Sequence, residues 1–111
     1  MTSNIPANRV QQFELNVGSN RGNPRIWIER PELKRFGFSR HASTIRNIVD
    51  GKIVIEIERH VGMTGKRGKV HGKANKPLID LSGAWLKKAG FETGARVRIL
   101  ITYSMLTITL I

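Results

Sequence analysis

Laid on itself at a constant offset of 53, the chain matches residues 24–57 to residues 77–110 at nine of 34 positions without a gap. Pro24 falls on Pro77, Ile26 on Ile79, Leu33-Lys34 on Leu86-Lys87 and Gly37-Phe38 on Gly90-Phe91. Ala42, Ile48 and Ile55 fall on Ala95, Ile101 and Ile108, while Ile28/Leu81, Arg35/Lys88 and Ile53/Leu106 agree in kind. A unit this short cannot bury its apolar face alone, so the two copies are expected to pack on each other around one shared core. A chain of 111 residues has room for one modest core of that kind.

Periodicity gives each copy the same order: strand, short helix, strand, hairpin, strand. Residues 1–9 read as a polar tail, and residues 10–58 as the first β-α-β-β repeat. In it Phe13, Leu15 and Val17 alternate with Glu14 and Asn16, Gly18 to Asn23 reads as a loop, and Arg25 to Glu29 is a short strand. Pro31 suits the first turn of a helix that Gly37 ends, with Leu33 and Phe36 as its buried stripe. The strand after Phe38 runs to the Asp50-Gly51 hairpin signal, and Ile53, Ile55 and Ile57 return. Its register stays open: Thr44, Arg46 and Ile48 face the core without a gap, Ile45, Asn47 and Val49 with one. Residues 59–76 hold six Lys or Arg, two His, four Gly and no acid, and read as a basic, flexible linker outside the core. Residues 77–111 form the second repeat, where Ser82 is placed to cap a helix over 84–89, Gly90 stops it, and a turn near Tyr103-Ser104 joins the last two strands. The expected fold is mostly β with two short helices.

Charge narrows the partners. Nineteen Lys and Arg against eight Asp and Glu give +11 and a pI near 11.2, a field that favours nucleic acid over an anionic membrane. Residues 1–58 contribute nine basic and six acidic side chains, and residues 59–111 ten and two, so the excess is concentrated in the linker and second copy. Without cysteine, disulfides and thiolate metal sites are excluded. No apolar run approaches the ~20 residues that span a bilayer, and Met1 to Arg9 has none resembling a signal peptide, so a cytoplasmic location is expected.

The run KPLIDLSGAWLKKAGFETGARVRILITYSMLTITLI resembles the SymE-like toxin family through Pro77, Gly83, Trp85, Leu86, Ala89, Gly90, Phe91, Gly94 and Val97. That resemblance implies an AbrB/SymE-like cradle-loop, or swapped-hairpin, barrel, usually built from two chains and here from two intramolecular repeats acting as a pseudo-dimer. It also implies a bacterial toxin–antitoxin system, nucleic-acid binding and RNA cleavage that blocks translation; AbrB-like relatives are DNA-binding regulators and antitoxins. Copy one departs from the pattern, with His41 where the turn Gly falls and Pro31-Glu32 in place of Ala84-Trp85.

Candidate contacts to phosphate are Lys66, Arg67, Lys69, Lys73 and Lys76 in the linker, Lys87 and Lys88 on the second helix, and Arg96 and Arg98, which alternate with core positions and so point outward. Lys34 and Arg35 are the counterparts of the helix lysines. Trp27, opposite Ile26 and Ile28 on its strand, is the best stacking platform for a base, whereas Trp85, Phe38 and Phe91 read as packing. Metal-free RNA cleavage needs a base, an acid and a cation. His60, behind Glu56 and Glu58, and His71 are the weak catalytic candidates, a surface His in a basic stretch being the commoner case. No metal-ligand spacing and no phosphate loop is present, so no metal and no cofactor is expected. Four readings follow: a nucleic-acid-binding module contacting the phosphate backbone, a ribonuclease, an AbrB-like DNA-binding regulator or antitoxin, and a subunit of a nucleoprotein complex. A protein partner or further oligomerisation through the faces of Val54 and Leu100 stays open.

Overall fold

The computed structural model describes residues 10–111; the expected tail at 1–9 lies outside them. Among these residues the fold has ten strands and two short helices. The first five strands are β1 (Gln11–Asn16), β2 (Gly18–Asn20), β3 (Asn23–Glu29), β4 (Ser43–Val49) and β5 (Lys52–Ile57), with a 3-10 helix at Pro31–Phe36 between β3 and β4. The rest are β6 (Lys66–Lys69), β7 (His71–Lys73), β8 (Lys76–Ser82), β9 (Arg96–Thr102) and β10 (Met105–Leu110), with α1 (Ala84–Lys88) between β8 and β9. The protein is thus mostly β with two short helices, as its periodicity predicts.

Local chemistry explains the punctuation. Asp50 and Gly51 both take positive φ, 50° and 78°, the twist a two-residue hairpin needs. Gly37 ends the 3-10 helix at φ 93°, with its N–H donated to Lys34 O. Gly90 repeats that geometry after α1, again at φ 93°. One local expectation fails. Ser82 does not cap α1: it ends β8, and Gly83 at φ 127° precedes the helix with no side-chain cap. The Ser82 carbonyl instead accepts the Trp85 indole N–H at 3.0 Å.

The strands form two sheets, one in the order β1-β9-β10-β5-β4-β6 and one in the order β2-β3-β8-β7. Each order reads the same from either end when every strand is exchanged with the one 53 residues away. In the small sheet Ile26 faces Leu81 and Ile28 faces Ile79, on either side of Trp27 facing Asp80. In the large sheet Ile55 faces Leu106 and Ile53 faces Ile108, on either side of Val54 facing Thr107. The strand after Phe38 takes the ungapped register: Thr44, Arg46 and Ile48 face Ile57, Ile55 and Ile53.

The segment 59–76 is not the free linker its composition suggests. Residues 66–69 pair with β4 as an edge strand, and residues 71–73 pair with β8 in the other sheet. Val70, at the bend between them, is fully buried. It exchanges backbone bonds with the 41–42 turn, His41 N to Val70 O at 2.8 Å and Val70 N to Ala42 O at 3.0 Å. Val17, at the bend between β1 and β2, makes the same two bonds with Gly94 and Ala95, each at 2.8 Å. Gly18 to Asn23 is likewise no open loop, because β2 folds back on β3 around Arg21-Gly22. Composition misled because β6 and β7 are edge strands: each needs one backbone ladder, and only Val70 has to enter the core.

That core is continuous. Ile26, Ile28, Ile79 and Leu81 of the small sheet meet Ile53, Ile55, Val97, Ile99, Ile101, Leu106 and Ile108 of the large one. Leu33 and Phe36 of the 3-10 helix, Leu86 of α1, and Phe38 and Phe91 behind the helix-ending glycines are all buried with them.

Candidate nucleic-acid interface

The outer side of β4 and β6 carries the best-formed basic groove. Ser43 stands opposite Lys69, and Ile45 opposite Arg67. The open cavity there, about 380 Å³, is lined by Ser43, Glu58, Arg67, Gly68, Lys69 and His71. Arg67 is not free, since its guanidinium donates to Glu58 Oε2 through Nε at 3.2 Å and Nη2 at 3.0 Å. The loop before β6 closes one side of the groove. Gly65 lies so close that an added Cβ would stand 2.6 Å from Ile45 Cγ2, and Asn47 Nδ2 donates to Thr64 O at 2.9 Å. Ile45 is therefore buried although it sits on the outer side of its strand.

The other candidate cations spread around this groove rather than into it. Lys73 and Lys76 are cross-strand partners at the tip of the β7–β8 hairpin, both exposed. Like charges directly opposed destabilise a hairpin, so a phosphate between them would relieve a real repulsion. Lys66 holds its ammonium 5.0 Å from the centre of the Trp85 ring. Lys87 and Lys88 are exposed in the last turn of α1, where the carbonyl end of the helix favours cations. Arg96 and Arg98 do point outward, but both lean on Glu14 of β1, at 3.4 Å and 3.3 Å. One carboxylate shared between two guanidiniums leaves about half their charge for a ligand.

Trp27 is 43% exposed, yet one face of its ring is covered by Arg25 at 4.2 Å. Arg25 is in turn clamped on Asp80 by two bonds of 2.9 Å. That pairing raises the guanidinium's pKa above its ordinary value, chiefly through the Asp80 hydrogen bond. Trp27 therefore offers one face to a base, edged by a fixed cation. Trp85 is half-buried against the core, and Phe38 and Phe91 are fully buried, as packing residues should be.

Of the histidines, only His71 reaches the groove. His60 is exposed and its Nδ1 lies 3.1 Å from the neighbouring Val61 carbonyl. Glu58 is taken by Arg67 and Glu56 lies 3.9 Å from Arg59, so the Glu–His pairing conceivable for His60 is not made. His41 occupies a left-handed turn at φ 78°, where Gly94 has φ 91°. Among the described residues no cluster of His, Cys, Asp or Glu could hold a metal ion, and no helix is long and apolar enough to cross a membrane.

Sequence reasoning overlooked Ser43 and Glu58 as groove residues and weighed Arg46 only as a matter of register. Glu58 carries no signal of its own until β6 is known to lie beside β4. Arg46 and Thr44 do: in the ungapped register both enter the core face, where copy two has Ile99 and Val97.

Residues 58–110 match the model of the family described as toxin SymE, type I toxin–antitoxin system. The chain is SymE-like over that stretch, which takes in β6 to β10 and α1, one full set of the elements that recur in the fold. Neither the curated proteins nor the solved structures yield a match.

Proposed function

We propose that this SymE-like chain, related to a component of a toxin–antitoxin system, binds nucleic acid through the phosphate backbone with little sequence preference. The observation that carries this reading is the β4–β6 groove, where Arg67, Lys69 and His71 line one cavity together with Ser43 and a single carboxylate, Glu58. The hairpin lysines Lys73 and Lys76 continue the same positive edge without a carboxylate partner among the described residues. Backbone contacts of this sort position a strand without reading bases. The matching element sets at a spacing of 53 support a pseudo-dimer within one chain, in which two diverged copies complete each other's sheets. Trp27 adds a stacking surface on the other sheet, which suits unpaired strands.

The test is direct. Single-stranded RNA, single-stranded DNA and duplex are titrated over a range of salt with wild type and with Lys69→Ala/Lys73→Ala/Lys76→Ala. Affinity should fall steeply with salt, and the triple variant should lose roughly one unit of log-log slope per phosphate contact removed. A salt-independent affinity would sink the reading.

A second reading, RNA cleavage, is favoured by one observation: His71 shares the groove with a carboxylate, a lysine and an arginine. A 2′-hydroxyl attacking the adjacent phosphorus would give up its proton to one group, while the departing 5′ oxygen takes a proton from another. A neighbouring cation would hold the added negative charge on the phosphorane. His71→Ala would then abolish cutting of a labelled RNA while leaving its binding in place. If wild type leaves the RNA intact, only binding stands.

A further inference from the structure

The inner face of β4 and β6 is built from four residues that make no sense as core. Lys66 stands directly opposite Arg46, and Gly68 opposite Thr44, all on the side facing Ile55. At the corresponding place in the other half, Phe13 stands opposite Ile99 and Leu15 opposite Val97. Val97 and Ile99 are fully buried, and Phe13 and Leu15 pack against them. An apolar quartet in one half is thus replaced by lysine, arginine, glycine and threonine in the other.

The replacement is spatially coordinated. Gly68 lacks the side chain that Leu15 supplies, and the Arg46 guanidinium fills that space: an added Cβ would sit 2.5 Å from Arg46 Cζ and Nη2. The guanidinium is thereby held over the backbone beside Thr44, the residue paired with Gly68. Neither polar group is satisfied. Thr44 is 1% exposed and its Oγ1 has no hydrogen-bond partner; Arg46 Nε is buried and has none either. A buried donor without a partner is destabilising, and more so when it belongs to a charged group. Burial holds the Arg46 pKa below its ordinary value, against the pull of Asp80. That carboxylate is already clamped by Arg25. Two cations face each other across a β ladder, which adds a repulsion that no residue of this face cancels.

We propose that Arg46, Thr44 and Lys66 form a binding site for a tetrahedral oxyanion of the phosphate class, seated on the inner face of β4 and β6 against the guanidinium that covers Gly68. The anion would accept from Thr44 Oγ1 and from the Arg46 guanidinium, while the Lys66 ammonium swings off the Trp85 ring to meet it. Resting on the nucleic-acid reading above, its natural source is a backbone phosphodiester, and a free phosphate offers the same chemistry.

The decisive variant is Arg46→Ile/Gly68→Leu, which installs the sealed arrangement that the other half already uses. Wild type and variant are each melted in sodium phosphate and in sodium chloride at equal ionic strength, and titrated with a short single-stranded RNA at several salt concentrations. Phosphate should raise the wild-type Tm by more than the variant's, whose remaining shift comes from the outer groove and the Lys73/Lys76 pair. The variant should bind the RNA about tenfold more weakly, with the salt slope reduced by about one. An equal phosphate effect on both proteins, or none on wild type, overturns the site. A phosphate effect greater on wild type with unchanged RNA binding assigns the site to a free anion. A wild type that responds to phosphate but binds no RNA refutes the nucleic-acid reading and leaves the site standing. Should the double variant not fold, Thr44→Val, which takes the corresponding residue of the other half and removes one donor, is read the same way: an undiminished phosphate effect overturns the site.

Discussion

The two long hairpins end differently, although their backbones follow one plan. At the β9–β10 turn, Ser104 N donates to Phe36 O at 2.7 Å and the Tyr103 ring lies over Gly37. Ile101 beneath them is fully buried. At the β4–β5 turn Asp50 stands where the other hairpin has Tyr103, and Ala89 stands where Phe36 would be. Ile48 is 46% exposed there and Leu110 39%. Among the described residues no backbone bond ties Gly51 to Ala89. The same division runs through the edge strands, where β1 lays Phe13 and Leu15 on the core and β6 lays Lys66 and Gly68. One half of this molecule is packed for stability. The other has traded packing for charge and open surface.

That contrast can be broken most sharply at Phe36. Phe36→Ala should cost about 3–5 kcal/mol in urea unfolding, because a fully buried ring leaves a cavity. The paired test is Ile101→Ala against Ile48→Ala: about 2–5 kcal/mol for the buried residue and under about 1 kcal/mol for the exposed one. Equal costs would mean that the β4–β5 end is as tightly sealed as its counterpart. Gly72→Ala should cost about 1–3 kcal/mol by thermal melting. An added Cβ would meet Lys76 O at 2.7 Å and Leu78 N at 2.8 Å, at φ +84°, and backbone cannot step aside as a long side chain can. A normal Tm for this variant would show that β7 is not anchored as described.

Smaller effects probe the charged half. Glu58→Gln removes the carboxylate that holds Arg67, so RNA affinity at low salt should rise by roughly three- to tenfold, an effect that shrinks as salt screens it. Unchanged affinity would place the binding face elsewhere. Glu32 supplies the smallest effect, and one that depends on pH. Its carboxylate pKa lies below the usual value, first through its own backbone N–H and then through Arg30 at 3.2 Å. Stability from this group is therefore full above the ordinary glutamate range near ~4.3 and is lost as pH falls through the lowered value. Glu32→Gln should flatten the acid limb of a stability–pH curve by a few tenths of a kcal/mol at most, since the pair is only half-buried and solvent still screens it.

How much of this could be read from the chain depends on where identity survived. Strands β3 to β5 and β8 to β10 were visible because Pro24/Pro77, Gly37/Gly90 and the isoleucine ladders survive at a fixed spacing. Strands β6 and β7 were not, because their counterparts in β1 and β2 share only Val17 with Val70. Edge strands impose little on side chains, and here those side chains had changed polarity outright. The basic residues of the groove were legible as charge. Their pairing was not: that Arg67 is held by Glu58, or that Arg96 and Arg98 share Glu14, follows from strand neighbours that lie far apart in sequence. Gly68 is the plainest case, since the meaning of an absent side chain emerges only beside Leu15.

The pairing of β5 with β10, of β1 with β9 and of β3 with β8 has a consequence for the chain as it is made. None of the first three partners has its mate within the first half, so a nascent chain that has reached β5 owns little more than two hairpins. Every sheet must wait for strands still to be synthesised, and closing such distant contacts is slow. Translation of β10 is therefore the step that completes the large sheet, and a product cut short before it holds the strands of the small sheet but lacks the one that joins β9 to β5.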